Sequence, residues 1–102
     1  MATSAEWHEN YENMSEEVLN FSRAVKSVQE ELEAVDWYNQ RAQATDDKQL
    51  RRILEHNRDE EVEHAMMGLE YLRRISPVFD KHMRTYLFTD GDIVEIEEKT
   101  ED

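Results

Sequence analysis

HNRDEEVEHAMM (56–67) places Glu61 and His64 three residues apart within an apolar helical stripe, where an uncompensated carboxylate and imidazole are costly. Stepping about 100° per residue from Leu50, the positions Leu50, Ile53, Leu54, Asn57, Glu61, His64, Gly68, Tyr71, Leu72 and Ile75 fall in one arc of roughly 100°. Asn57, Glu61 and His64 are therefore polar insertions at the centre of a seam. A Glu-x-x-His pair on a bundle helix, facing a Glu from a neighbouring helix, is half of a carboxylate-bridged di-metal site. Spacing alone carries little weight, because with 17 Glu in 102 residues each His has roughly a one-in-six chance of a Glu three places earlier. Placement on the seam carries the argument. The competing reading is a core polar network satisfied by an Arg or Tyr.

Residues 1–102 are expected to form one small all-α domain. With 38% hydrophobic residues and a net charge of −13, a solitary monomer would have a thin core and strong self-repulsion, which oligomerisation would relieve. Two Gly and one Pro, against abundant Ala, Glu, Arg, Gln and Met, favour long helices. The acidic balance disfavours nucleic acid and anionic membranes and favours cations. MATSAEWHENYENMSEE (1–17) has neither a basic start nor an apolar stretch, and no apolar segment is long enough to span a bilayer, so a soluble, cytoplasmic chain is expected. Without cysteine, any metal site must be built from oxygen and nitrogen ligands.

Residues 1 to about 13 and about 95–102 read as polar, mobile tails. Ser15 followed by Glu16 and Glu17 reads as a helix start, and Met14, Val18, Phe21, Val25, Val28, Leu32 and Val35 recur at helical spacing through about Gln43. Ala44-Thr45-Asp46-Asp47 is a short loop with capping residues, so the second helix, about Lys48 to Ile75, must fold back antiparallel. Ser76-Pro77 then starts a short helix with Phe79, Met83, Tyr86 and Leu87 on one face, stopped by Thr89-Asp90-Gly91-Asp92. A hairpin buries only one side of each stripe. Two hairpins make a four-helix bundle.

On the first helix Ala24, Val28, Val35 and Tyr38 fall within about 60° of Glu31. Glu31 thus lies on the apolar stripe, with Tyr38 two turns along the same face. One chain supplies Glu31, Glu61 and His64; a full site needs four Glu and two His, and a two-fold dimer has that inventory. Carboxylates with one imidazole per metal suit iron or manganese, and other divalent cations such as zinc could substitute. Glu30, Glu33 and Trp37 share the opposite face of the helix, either an ion-attracting site with an aromatic lid or a solvated face with a Trp at a subunit contact. His56, Glu60 and Glu63, at i, i+4 and i+7, form either a surface cation site or an exposed charged face among Arg52 and Arg58. His8 and His82 have no carboxylate arrangement of note.

EELEAVDWY (30–38), HNRDEEVEHAMM (56–67) and RRISPVFDKHMRTYLFT (73–89) resemble the encapsulated ferritins, short ferritin-like proteins housed inside encapsulin nanocompartments. The resemblance covers roughly residues 15–90. It implies an antiparallel two-helix hairpin plus a short C-terminal helix, dimerising into a ferritin-like four-helix bundle, with dimers arranged in an annular decamer. It further implies a ferroxidase that oxidises Fe(II) to Fe(III) with dioxygen at a site of two iron ions between subunits and leaves iron storage to the encapsulin shell. By motif position Glu31, Glu61 and His64 would be ligands and Tyr38 a neighbour in the catalytic centre. Glu30, Glu33 and Trp37 would be the ion-access region, and His56, Glu60 and Glu63 an outer metal site. The chain departs from the resemblance in ending on acidic IEEKTED, where family members usually carry a short peptide that docks to the shell interior. Two other functions fit the residues alone: an acidic helical dimerisation or adaptor module in which Glu61 and His64 satisfy each other, and a different di-metal enzyme such as a peroxide reductase.

Overall fold

Local chemistry at four positions fixes where the helices begin. The computed structural model describes residues 7–100, with a 3-10 turn at Tyr11–Asn13 and helices α1 (Glu16–Ala44), α2 (Lys48–Ile75), α3 (Pro77–Tyr86) and α4 (Ile93–Thr100). The Ser15 hydroxyl accepts from Val18 N–H at 3.2 Å, Asp47 Oδ1 from Leu50 N–H at 2.9 Å, and Ser76 Oγ from Phe79 N–H at 3.2 Å, each satisfying an orphan donor of a first turn. Pro77 occupies the first turn of α3, where its missing N–H costs nothing. No strand occurs among the described residues, and no helix there is long and apolar enough to cross a membrane.

The hairpin closes over the three-residue link Thr45–Asp47. Arg51, in the first turn of α2, donates to the carbonyls of Ala42 and Thr45, so a side chain of one helix caps the carbonyl end of the other. Between α1 and α2, Leu19, Val28, Ala42, Leu54, Ala65 and Leu72 are the buried apolar residues. That core is thin. The radius of gyration is 17.5 Å, against about 13 Å for a compact domain of this length. Leu50, Ile53, Tyr71 and Ile75 remain 41–48% exposed along one side of α2, as do Val18 and Leu32 at 49–50% on α1.

The α2–α3 corner is held by charge. Arg73 grips both oxygens of Glu70 at 2.8 and 2.9 Å and reaches Asp80 of α3 at 2.6 Å; Arg74 adds a third bond to Glu70, and Arg84 pairs with Asp80. Across the corner the Phe79 ring stands edge-on to Phe21 of α1, centroids 5.9 Å apart. Hydrogen bonds from Arg73 and then Arg74 hold the Glu70 carboxyl at about 2, and Arg73 and Arg84 lower Asp80. Both pKa values are depressed, so their contribution is present above the ordinary carboxylate range and lost as pH falls, for Glu70 between about 4.5 and about 2. The pair that crosses to α3 is Arg73–Asp80, so acidification through and below the ordinary carboxylate range is expected to loosen α3 while the α1–α2 hairpin keeps its helicity. The nuclear Overhauser contact between Phe21 and Phe79 should fade over it, and a contact unchanged at pH 2 would show that the charges do not hold the corner.

Three segments depart from the sequence expectation. Beyond Tyr86 the chain passes through Phe88 at φ +63° and Gly91 at φ +91°, so α3 stops before Leu87. The segment expected to be an acidic tail from about Glu95 instead forms α4, because Asp92 Oδ1 accepts from Val94 and Glu95 N–H and starts a helix that Ile93, Val94 and Ile96 continue. At the other end, Trp7 and Tyr11 stack edge-on at 5.6 Å and Arg23 donates to the Tyr11 hydroxyl at 3.4 Å, which ties this part of the expected tail to α1. Residues 1–6 and 101–102 of the two expected tails lie outside the described residues.

Candidate metal centre

The α2 stripe read from the sequence is divided by the hairpin. One flank, with Leu54, Ala65 and Leu72, faces α1 and is buried; the other, with Leu50, Ile53, Tyr71 and Ile75, is left open. Glu61 and His64 straddle this division, with 26% and 41% of their side chains exposed. His64 therefore belongs to the open flank. Its Nδ1 lies 3.8 Å from Glu61 Oε1, beyond hydrogen-bond reach, so the two do not satisfy each other. Nor does the nearby arginine: Arg58 is committed to Asn39 and Asp59, each at 3.0 Å.

Glu31 approaches from α1. Its Oε1 is the buried side-chain oxygen left without a hydrogen-bond partner among the described residues. A buried, unpartnered carboxylate oxygen is costly and asks for a ligand. Gly68, one turn beyond His64, lets α1 come this close: a Cβ at that position would lie 2.6 Å from Val28 Cγ2 and 3.9 Å from Glu31 Oε1. This residue appeared in the sequence reading only as a member of the seam. A lone glycine inside a helix, on its packed face, was the signal of a close approach. Tyr38 is half-buried on the same helix as Glu31, its ring beneath the Arg41 guanidinium at 5.4 Å.

Glu30, Glu33 and Trp37 are exposed on α1, and His56, Glu60 and Glu63 are exposed on α2. Among the described residues of one chain, no three His, Asp or Glu side chains gather closely enough to hold a metal ion. Neither Glu31, Glu61 and His64 nor either outer group therefore forms a three-ligand cluster within a single hairpin. The donor set nevertheless fits a divalent ion. Two carboxylates and an imidazole are hard to borderline ligands, and one oxygen is already desolvated without a partner.

A family model described as EncFtn-like matches residues 6–90. The chain belongs to the EncFtn-like family. Over 95 residues it is 54% identical to a ferritin-like protein of Thermotoga maritima, covering 93% of this chain and 83% of that one. Over 90 residues it is 58% identical to an encapsulated ferritin-like protein of Rhodospirillum rubrum, covering 88% of this chain and 64% of the longer relative. The crystal structure of a Nitrosomonas europaea protein, 53% identical, superposes with a TM-score of 0.83 over 85% of this chain and 96% of that one. At this identity the EncFtn-like assignment and the helical hairpin describe the same molecule.

Proposed function

We propose that this EncFtn-like protein is a ferroxidase, oxidising Fe(II) to Fe(III) with dioxygen at a two-iron site completed between two hairpins and supplying iron to an encapsulin compartment. The buried, unpartnered Glu31 Oε1, on the helix facing Glu61 and His64, is the observation that carries this reading. Two copies related by a two-fold axis would bring four carboxylates and two imidazoles together across the open apolar flank of α2. Burial of Leu50, Ile53, Tyr71 and Ile75 in that contact would exclude water around the ligands. The relative named as an encapsulated ferritin-like protein supports the compartment.

Iron is the substrate, and it supplies the electrons that dioxygen accepts. The chain's own residues bind and orient it. Glu31 and Glu61 would provide negative charge and oxygen donors, His64 a nitrogen lone pair from its open flank, and Tyr38 would either order the ligands by hydrogen bonding or supply an electron. Glu30 and Glu33, exposed on the outer face of α1 with Trp37, would raise the local cation concentration and gate access. His56, Glu60 and Glu63 would form an outer metal site on α2.

The test is Fe(II) oxidation by the full chain, followed optically with dissolved oxygen recorded alongside. Oxygen uptake in proportion to Fe(II) is expected; oxidation that proceeds only when peroxide replaces oxygen would identify a peroxide reductase, and no oxidation by either would leave the adaptor reading. In the same assay a Glu30→Ala, Glu33→Ala, Trp37→Ala variant should be slower yet keep its central metal sites.

A further inference from the structure

Gly68 lies deep inside α2, four residues after His64 and seven after Glu61, at a position where any other residue except proline would favour the helix more. Its lack of a side chain is used. A Cβ there would meet Val28 Cγ2 at 2.6 Å, well inside contact distance, and Val28 cannot turn aside because it is buried and β-branched, with its rotamer fixed by its own helix. Val28 and Glu31 stand one turn apart on the same face of α1, so whatever pushes Val28 away carries Glu31 with it. The same Cβ would lie 3.9 Å from Glu31 Oε1, the buried oxygen that lacks a partner.

We propose that Gly68 is a positioning residue for the metal centre: the space above it sets how closely α1 approaches α2, and so the depth at which Glu31 meets ions held by Glu61 and His64. The inference rests on the ferroxidase-site reading. It makes a specific geometric claim. Alanine at position 68 should displace Glu31, and removal of the Val28 methyls should return it, because the nearest remaining atoms, Glu31 Oε1 and Val28 Cβ, would each sit 3.9 Å from the new methyl in ordinary contact.

Co(II) is the probe, since its visible bands report both binding and coordination geometry. Full-length parent, Glu31→Ala, Gly68→Ala, Val28→Ala and the Gly68→Ala, Val28→Ala double variant are titrated, with metal-free melting recorded for each. Gly68→Ala is expected to weaken Co(II) binding by about tenfold or more and to change the band shape, as loss of an outer-shell support does. The double variant should recover to within about threefold of Val28→Ala. Parent-like affinity and bands in Gly68→Ala would overturn the inference, as would a defect that persists in the double variant. Should Gly68→Ala fail to fold, the double variant decides: folding and binding there support the steric account, and failure there overturns it. If the parent takes up no Co(II), or Glu31→Ala binds it equally well, the site reading falls and the inference with it. With both controls as expected and Gly68→Ala unchanged, the positioning role alone is wrong.

Discussion

Replacing Glu31 with alanine is expected to lower the initial rate of Fe(II) oxidation by more than about a hundredfold. Supports outside the ligand shell cost 10–100-fold when lost, and this substitution removes a ligand from both halves of a symmetric site. The same change should leave the metal-free protein as stable as the parent or more so. Glu31 Oε1 is buried without a hydrogen bond, so its removal relieves a desolvated oxygen, and alanine is the better helix former. The opposed signs distinguish a binding role from a packing role. Stopped-flow oxidation and thermal melting of matched oligomers measure the two sides. An unaltered rate, or a large loss of metal-free stability with the rate intact per folded chain, would remove Glu31 from the ligand set.

The helices were legible in the sequence because their ends are local chemistry. Ser15, Asp47 and Ser76-Pro77 each satisfy or dispense with orphan amides within their own first turns, and α2 occupies the span that these signals mark. Asp92 does the same for α4. Composition hides that start, because five acidic residues, Glu95, Glu97, Glu98, Glu101 and Asp102, outweigh the apolar Ile93, Val94 and Ile96 beside it. The candidate site was legible only as a stripe. Periodicity places Glu61 and His64 on one arc, but which flank of that arc meets α1 depends on how closely the helices approach. That distance is set at Gly68 and Val28, two residues from different helices that no local pattern connects. The same limit explains the outer groups. Spacing puts His56, Glu60 and Glu63 near one another along α2, while among the described residues of one chain no three such side chains converge on an ion.

Removing metal is expected to shift the protein from dimers and larger rings toward small species, because charge and apolar surface oppose each other at the proposed contact. The open flank of α2 favours association: Leu50, Ile53, Tyr71 and Ile75 are 41–48% exposed in one hairpin and would be buried by a second. The ligands oppose it. Two copies of Glu31 and Glu61 bring four carboxylates, about −4 with neutral imidazoles, into a partly dry interface, on a chain whose net charge is already −13. Two divalent ions bring about +4 and cancel the local charge, and each would be ligated by both chains. Ions that bind only the assembled form stabilise it by RT ln(1 + [L]/Kd), about 2.7 kcal/mol at a hundredfold excess over Kd in a one-site estimate. That corresponds to roughly a hundredfold in the association constant. Mass photometry at fixed protein concentration, with metal stripped and then restored, reads the shift directly. Glu61→Ala separates the two contributions. It removes half of the opposing charge together with the bridging ligands, so its assembly should lose its dependence on metal. If the stripped parent stays fully assembled at low concentration and Glu61→Ala assembles as the parent does, apolar packing alone holds the oligomer and the metal has no structural part in it.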